Sequence, residues 1–130
     1  ETLKKAVLNG TPYLGTSAGS NICGVTMSTT NDMPIVYPPS FTTLGWVPFN
    51  INPHYLDPVE GSTHMGETRE TRILEFLQLN AEPVIGLREG SWLEVKGDSI
   101  ILKGALTARV FKRNETPYEV TPETELKDFK

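Results

Sequence analysis

Gly15-Thr16-Ser17-Ala18-Gly19 matches the G-x-S-x-G pattern, and its spacing has a chemical reason. A sharp strand-to-helix turn holds a nucleophile in a strained backbone conformation. The flanking glycines keep Cβ atoms out of the crowded corner, so the serine hydroxyl stands above the sheet. The N–H of the following residue, Ala18, then points to where an oxyanion would form. The alternative is a Gly/Ser-rich turn with no chemistry. What favours chemistry is the context, an apolar stretch before the pattern and a helix-compatible stretch after it.

A serine nucleophile needs a base, and the chain has two histidines, His54 and His64. The base needs an orienting carboxylate, for which Asp32, Asp57 and Glu89 are the candidates. Asp32 with His54 satisfies the Ser, acid, His order of α/β-hydrolases. However, Ser17 and His54 lie only 37 positions apart, with no clear helix–strand unit between them, and no histidine follows His64. Glu89 follows a buried apolar strand, and site residues gather at the C-terminal strand ends of open α/β sheets. That choice gives the order Ser, His, Glu.

Positioning such groups requires a strand before Ser17 and a helix after it. Tyr13, Leu14, Gly15 and Thr16 read as a short strand, and residues 18–24 as the start of a helix. Ahead of them, Leu3, Ala6 and Val7 recur with helical spacing, and Gly10 stands where a helix C′ glycine belongs. Residues 26–62, rich in Pro, Thr, Asn and Gly, read as a long functional loop region with one strand near 45–51. Residues 66–80 carry the strongest helix signal, with Ile73, Phe76 and Leu77 on one face. Residues 83–87 read as a buried parallel strand. Residues 92–95, 100–102 and 106–111, separated by glycine turns, predict an antiparallel meander. The tail after Arg113 reads as a polar surface segment. The pattern is α/β, organised as one domain portion: a catalytic α/β part (1–90), a β-meander (91–113) and a tail (114–130). Only 13–16 and 84–87 look like central parallel strands, so the N-terminal part of the sheet is expected to be absent from this chain.

Composition narrows the function classes. The 130 residues carry 12 Lys+Arg and 16 Asp+Glu, a formal net charge of −4, with no basic run of the kind nucleic-acid binders use. No apolar run is long enough to span a membrane. One cysteine, Cys23, cannot form an internal disulfide, so a cytoplasmic compartment is expected. The chain opens on Glu1, inside an expected helix, and is expected to be part of a larger protein.

Thr16–Gly19, Thr30-Asn31-Asp32-Met33-Pro34, Asn52-Pro53-His54-Tyr55, Gly66-Glu67-Thr68-Arg69-Glu70 and Gly86-Leu87-Arg88-Glu89-Gly90, taken in order, resemble the peptidase E family of aspartyl dipeptidases. Cyanophycinases are relatives that share the serine elbow, and the 52–55 and 66–70 stretches favour the dipeptidases. The resemblance implies a class I glutamine amidotransferase-like (flavodoxin-like) fold with Ser where those enzymes use Cys. It also implies a cytoplasmic serine hydrolase that needs no cofactor or metal and cleaves dipeptides with an N-terminal aspartate. Carried over, Ser17 is the nucleophile, His54 the general acid–base, Glu89 its orienter and Ala18 an oxyanion donor. The aspartate carboxylate calls for an arginine fork, with Arg69 the first candidate and Arg88 the second. Asp32 is expected either to meet the substrate ammonium or to order the long loop. The expected partners are an Asp-Xaa dipeptide and the N-terminal segment of the same protein, with no nucleic acid and no membrane. A non-catalytic fragment or binding module that keeps the elbow is the alternative.

Overall fold

The computed structural model describes residues 1–31, 35–59, 61 and 67–129. Its elements run α1 (Thr2–Leu8), α2 (Ala18–Asn21), β1 (Asn50–Pro53), α3 (Arg69–Leu79), β2 (Val84–Leu87), β3 (Ser91–Lys96), β4 (Ser99–Gly104), β5 (Ala108–Phe111) and β6 (Tyr118–Val120). The central sheet has the order β1-β2-β5-β6, and β3 and β4 form a separate hairpin. This is a mixed α/β architecture. β1 and β2 are parallel, and the chain crosses between them through α3, as a parallel pair requires. The remaining pairs, β2–β5 and β5–β6, are antiparallel.

Alternation along the strands assigns the two faces of the sheet. Val84 and Phe111 point to one face, where α3 delivers Ile73 and Leu77, and Tyr55 completes this cluster. Ile51, Ile85, Val110 and Val120 point to the other. There they meet Val47 and Phe49 from the loop before β1, Ile100 and Leu102 from the hairpin, and Leu126 and Phe129 from the tail. β2 is therefore covered on both faces, which is why it reads as an unbroken apolar run. α3 begins where Thr68 accepts the Thr71 N–H, a side-chain cap, with Glu70 in its first turn. α1 ends as its glycine predicts. Gly10 has φ +97°, its N–H donates to Val7 O, and the Thr11 N–H donates to Ala6 O, the bond pair of a Schellman motif.

Three expectations need correction. Residues 13–16 form no strand, because no other strand lies beside them among the described residues. The three-stranded meander is only a hairpin: β5 leaves β4 and pairs with β2 and β6, where Ala108 and Val110 are buried in the core of the central sheet. The tail is not a surface segment. β6 extends the sheet, the Leu126 N–H donates to Ile100 O, and Phe129 meets the Phe49 ring edge-on at 5.2 Å. Its polar composition hid two fully used apolar residues.

The free edge of β1 is closed by side chains instead of a strand. Asn21 Nδ2 and Thr29 Oγ1 donate to Ile51 O, and Asn31 Nδ2 donates to Pro53 O. Pro53 has no N–H to leave unpaired there. No helix among the described residues is long and apolar enough to cross a membrane.

Gly86 is where packing leaves no choice of residue. A Cβ there would lie 2.7 Å from Tyr55 Cγ, and Tyr55 is only 1% exposed. Gly86→Ala is expected to lower the unfolding free energy by about 1–3 kcal/mol, the usual cost of over-packing, as measured by urea denaturation. An unchanged midpoint would show that the Tyr55 ring can move aside.

Candidate active site

A cavity of about 550 Å³ opens at the C-terminal ends of β1 and β2, and Ser17, His54 and Glu89 all line it. Each arrives by a different route. Ser17 stands on the tight turn into α2 with φ 51° and ψ −117°, a conformation that costs a non-glycine residue about 1–3 kcal/mol. The turn is held by its neighbours. Tyr13 OH donates to Gly19 O at 2.8 Å, Ser20 Oγ donates to Gly15 O at 2.9 Å, and Cys23 Sγ donates to the same Gly19 carbonyl. A Cβ on Gly15 would lie 2.4 Å from Gly19 O, so the turn closes only with glycine there. The Gly19, Ser20 and Asn21 N–H groups bond back to the Thr16 and Ser17 carbonyls.

His54 follows the last residue of β1 and also has a positive φ, 56°. Glu89 lies two residues past the end of β2. The parallel register Pro53↔Leu87 sets the two loops side by side, and the Tyr55 N–H donates to Leu87 O at 3.0 Å. His54 Nδ1 is hydrogen-bonded to Glu89 Oε1. An ionised carboxylate only accepts, so toward an ionised Glu89 the His54 Nδ1 is the donor of this bond and Nε2 is the ring nitrogen left outside it. Of the two candidate orienters that lie among the described residues, Glu89 is the one on His54. Asp57 is bonded to Arg88, and Asp32 lies outside the described residues, as does His64.

Arg88 lines the cavity, but its guanidinium turns to the other side of the sheet end. Nε and Nη2 donate to the two oxygens of Asp57 at 2.9 and 2.7 Å. Nη1 donates to Thr107 O, Thr107 Oγ1 and Glu119 Oε2, and Nη2 also donates to Glu119 Oε1. A substrate carboxylate would have to displace one of these acceptors. Arg109 joins the cluster by bridging Glu119 and Glu70, and Glu70 accepts the Tyr55 hydroxyl. The charges settle one another. Glu119 is pulled down to about 2, chiefly by the Arg88 hydrogen bonds, helped by Thr107 and Arg109. Asp57 is lowered by the same guanidinium, and Glu119 and Asp57 in turn hold Arg88 above the ordinary arginine range. Burial, followed by the Glu70 carboxylate, raises the Tyr55 phenol. The sequence reading missed Glu119 and Thr107. The cross-strand pair Arg109↔Glu119 would have exposed them once β5 and β6 were known to be neighbours.

Arg69, at the start of α3, does not line the cavity. It borders a recess of about 30 Å³ with Thr29, Asn31, Asn52 and Arg72. Arg69 Nη1 and Asn52 Oδ1 are buried without a hydrogen-bond partner among the described residues. Asn52 and Pro53 are consecutive in β1, so the recess and the cavity flank the same strand end. Among the described residues no three His, Cys, Asp or Glu side chains converge as a metal site would require.

Comparison with known proteins adds an independent line. The sequence model of Peptidase family S51 matches residues 1–103. The chain is similar to Peptidase E of Streptomyces coelicolor, 59% identical over 129 residues, which is 99% of this chain and 53% of the relative. It is similar to a probable alpha-aspartyl dipeptidase of Drosophila melanogaster, 49% identical over 97% of this chain and 53% of the relative. It is also similar to Peptidase E of Shewanella amazonensis, 50% identical over 85% of this chain and 47% of the relative. The chain thus spans about half the length of the curated relatives it matches.

The Glu119 carboxyl titrates at about 2 when folded and near 4.5 when free. A carboxyl with a lowered folded value adds stability above its free value and loses it as pH falls through the folded one. The stability gap between the parent chain and Glu119→Gln is therefore expected to be full above pH 4.5 and to close between about 4.5 and 2. Urea unfolding at a series of pH values measures it, and a gap independent of pH would show that the Glu119 charge contributes nothing.

Proposed function

Because the chain belongs to peptidase family S51, we propose that it carries the catalytic serine half of a peptidase that removes N-terminal aspartate from dipeptides. The observation that supports this most is the His54–Glu89 hydrogen bond at the rim of the cavity that Ser17 also lines. In this reading His54 Nε2 takes the Ser17 proton as Oγ attacks the peptide carbonyl. Glu89 keeps the imidazole in the Nδ1–H tautomer and balances its charge. His54 then hands the proton to the leaving amine, and water, activated by the same nitrogen, hydrolyses the acyl-enzyme. The positive φ of Ser17 is what a nucleophile elbow of the amidotransferase-like fold requires, and the Ala18 N–H serves as one oxyanion donor.

Substrate choice follows from charge. The aspartate side chain seeks a guanidinium with N–H groups to spare. Among the described residues Arg69 has a buried Nη1 without a partner, whereas the Arg88 donors are engaged by Asp57, Glu119 and Thr107. Arg69 is therefore the preferred ligand for that carboxylate, with Asp32 toward the substrate ammonium and the cytoplasm as the setting.

The site also needs covering. The His54 and Glu89 side chains are 45% and 73% exposed, Leu14 is 91% exposed, and residues 13–16 have no strand partner among the described residues. An N-terminal segment of the same protein would pair with residues 13–16, shield the site and bring a second oxyanion donor, whose loss alone costs roughly 10²–10³ in turnover. The isolated chain then behaves as an inactive half.

Hydrolysis of Asp-Leu separates these readings. The 130-residue chain alone is expected to be nearly inactive, and supplying the N-terminal segment of a longer relative is expected to restore turnover. In the assembled protein Ser17→Ala, His54→Ala and Glu89→Gln should each lower kcat by on the order of 10⁴-fold. A silent Glu89→Gln would remove Glu89 as orienter, and full activity of the isolated chain would remove the need for the segment.

A further inference from the structure

The loop after β1 carries His54, Tyr55 and Asp57, and the loop after β2 carries Arg88 and Glu89. His54 and Glu89 meet over the cavity, while Asp57 and Arg88 meet on the far side of the same two loops. We infer that the bidentate Arg88–Asp57 pair is a clamp that sets the His54–Glu89 geometry, making both of them positioning residues for the peptidase chemistry proposed above, on which this role rests.

Each loop offers one residue to the cavity and one to the clamp. Neighbouring residues in extended chain point to opposite sides, so fixing the Arg88 side chain fixes the direction in which Glu89 leaves the strand. The Arg88 side chain is only 14% exposed, against 73% for Glu89. The ordered member of the two is thus the one that does no chemistry. The guanidinium plane is anchored on three elements: Asp57 after β1, Thr107 before β5 and Glu119 in β6. It also lies 5.4 Å from the centre of the Tyr55 ring, which rests on Gly86. Tyr55 is therefore held between β2 below, Arg88 beside it, and the Glu70 carboxylate at its hydroxyl. His54, one residue earlier and with a positive φ, has its direction set by this buried neighbour. A fork with parallel N–H groups defines an angle as well as a distance, which a point-charge contact cannot do. An exposed imidazole–carboxylate pair has no comparable means of holding itself in place.

The test uses Arg88→Lys, Arg88→Met and Asp57→Asn, with Leu102→Ala as a destabilised control away from both loops. The first readout is the ring ¹⁵N shifts of His54 in the 130-residue chain, assigned by their loss in His54→Gln. In the parent chain the clamp predicts a pyrrole-like Nδ1 and a pyridine-like Nε2. Free imidazole prefers the opposite tautomer, so all three clamp variants are expected to move toward it, Arg88→Lys included, while Leu102→Ala keeps the parent pattern. Asp57 is exposed, so Asp57→Asn reads the clamp even if the Arg88 variants fail to fold. The second readout is Asp-Leu kinetics in the assembled protein. There the clamp variants should lose about 10- to 10²-fold in kcat, the cost of a small misplacement, with KM within about twofold. Ring shifts unchanged in Asp57→Asn would overturn the clamp. So would a raised KM at constant kcat in Arg88→Lys, because that pattern belongs to a substrate ligand. The ring shifts need no substrate, so a protein that failed to cleave Asp-Leu would defeat the proposed function while they still decided the clamp.

Discussion

Two adjacent parallel strands end side by side, and the register between them decides which side chains can meet above their ends. Asn50 pairs with Val84 and Pro53 with Leu87, and the ladder is extended beyond both ends by Asn50 N–H to Pro83 O and Tyr55 N–H to Leu87 O. The meeting of His54 with Glu89 hangs from this alignment. It puts His54 opposite the loop that carries Glu89. It also lets Tyr55 fold onto Gly86, the one position in β2 with room for an aromatic ring. A slip of one residue would turn Ile85 and Leu87 away from the large apolar cluster and turn the Glu89 side chain away from His54. The register is therefore enforced by the burial of β2 on both faces and not by the site itself.

The site residues are in fact poor at holding themselves. An exposed ion pair is worth about 0–1 kcal/mol, and His54 and Glu89 are both well exposed. Ser17 and His54 sit in backbone conformations that favour other residues, so they draw on the surrounding structure for their stability. That support is polar around the strand ends and apolar beneath them. Asn21, Thr29 and Asn31 close the free edge of β1 with side-chain hydrogen bonds, and Asp57, Arg88, Arg109, Glu70 and Glu119 tie the ends of β1 and β2 to β5, β6 and α3. Below them the hairpin and the tail seal the second face. The scaffold is thus rigid where it meets β2 and open toward Leu14 and Trp92, both exposed apolar residues that line the cavity.

Local signals read truest where local physics decides. The β2 strand could be read from its apolar run, α3 from its periodic face, α1 from Gly10, and the β3–β4 turn from Gly97. Ser17 was legible because G-x-S-x-G encodes a crowded corner, and the structure shows that crowding at Gly15. The pairing of Glu89 with His54 was one of three choices, and only strand register could select it. What could not be read was long-range. Nothing local says that residues 108–111 leave the hairpin for β2. Nor does a tail of charged and turn residues announce that Leu126 and Phe129 are core. The Arg88 cluster depends on β5 lying beside β2 and β6 beside β5, so its partner Glu119 was invisible. Residues 13–16 carried a strand-like pattern, but a strand also needs a neighbour, and pattern alone does not supply one.

The central claim is that the sheet ends assemble an activated serine at position 17. An aspartyl diphenyl phosphonate tests it directly, because such esters phosphonylate a serine only when a base is poised to take its proton. Incubated with the protein assembled with its N-terminal segment and shown to cleave Asp-Leu, the reagent is predicted to add once, with the adduct mapped by mass spectrometry to Ser17. The same preparation bearing His54→Gln should remain unlabelled. Labelling at another residue, or an active preparation left with an unmodified Ser17 while its activity is lost to the reagent, would contradict the account.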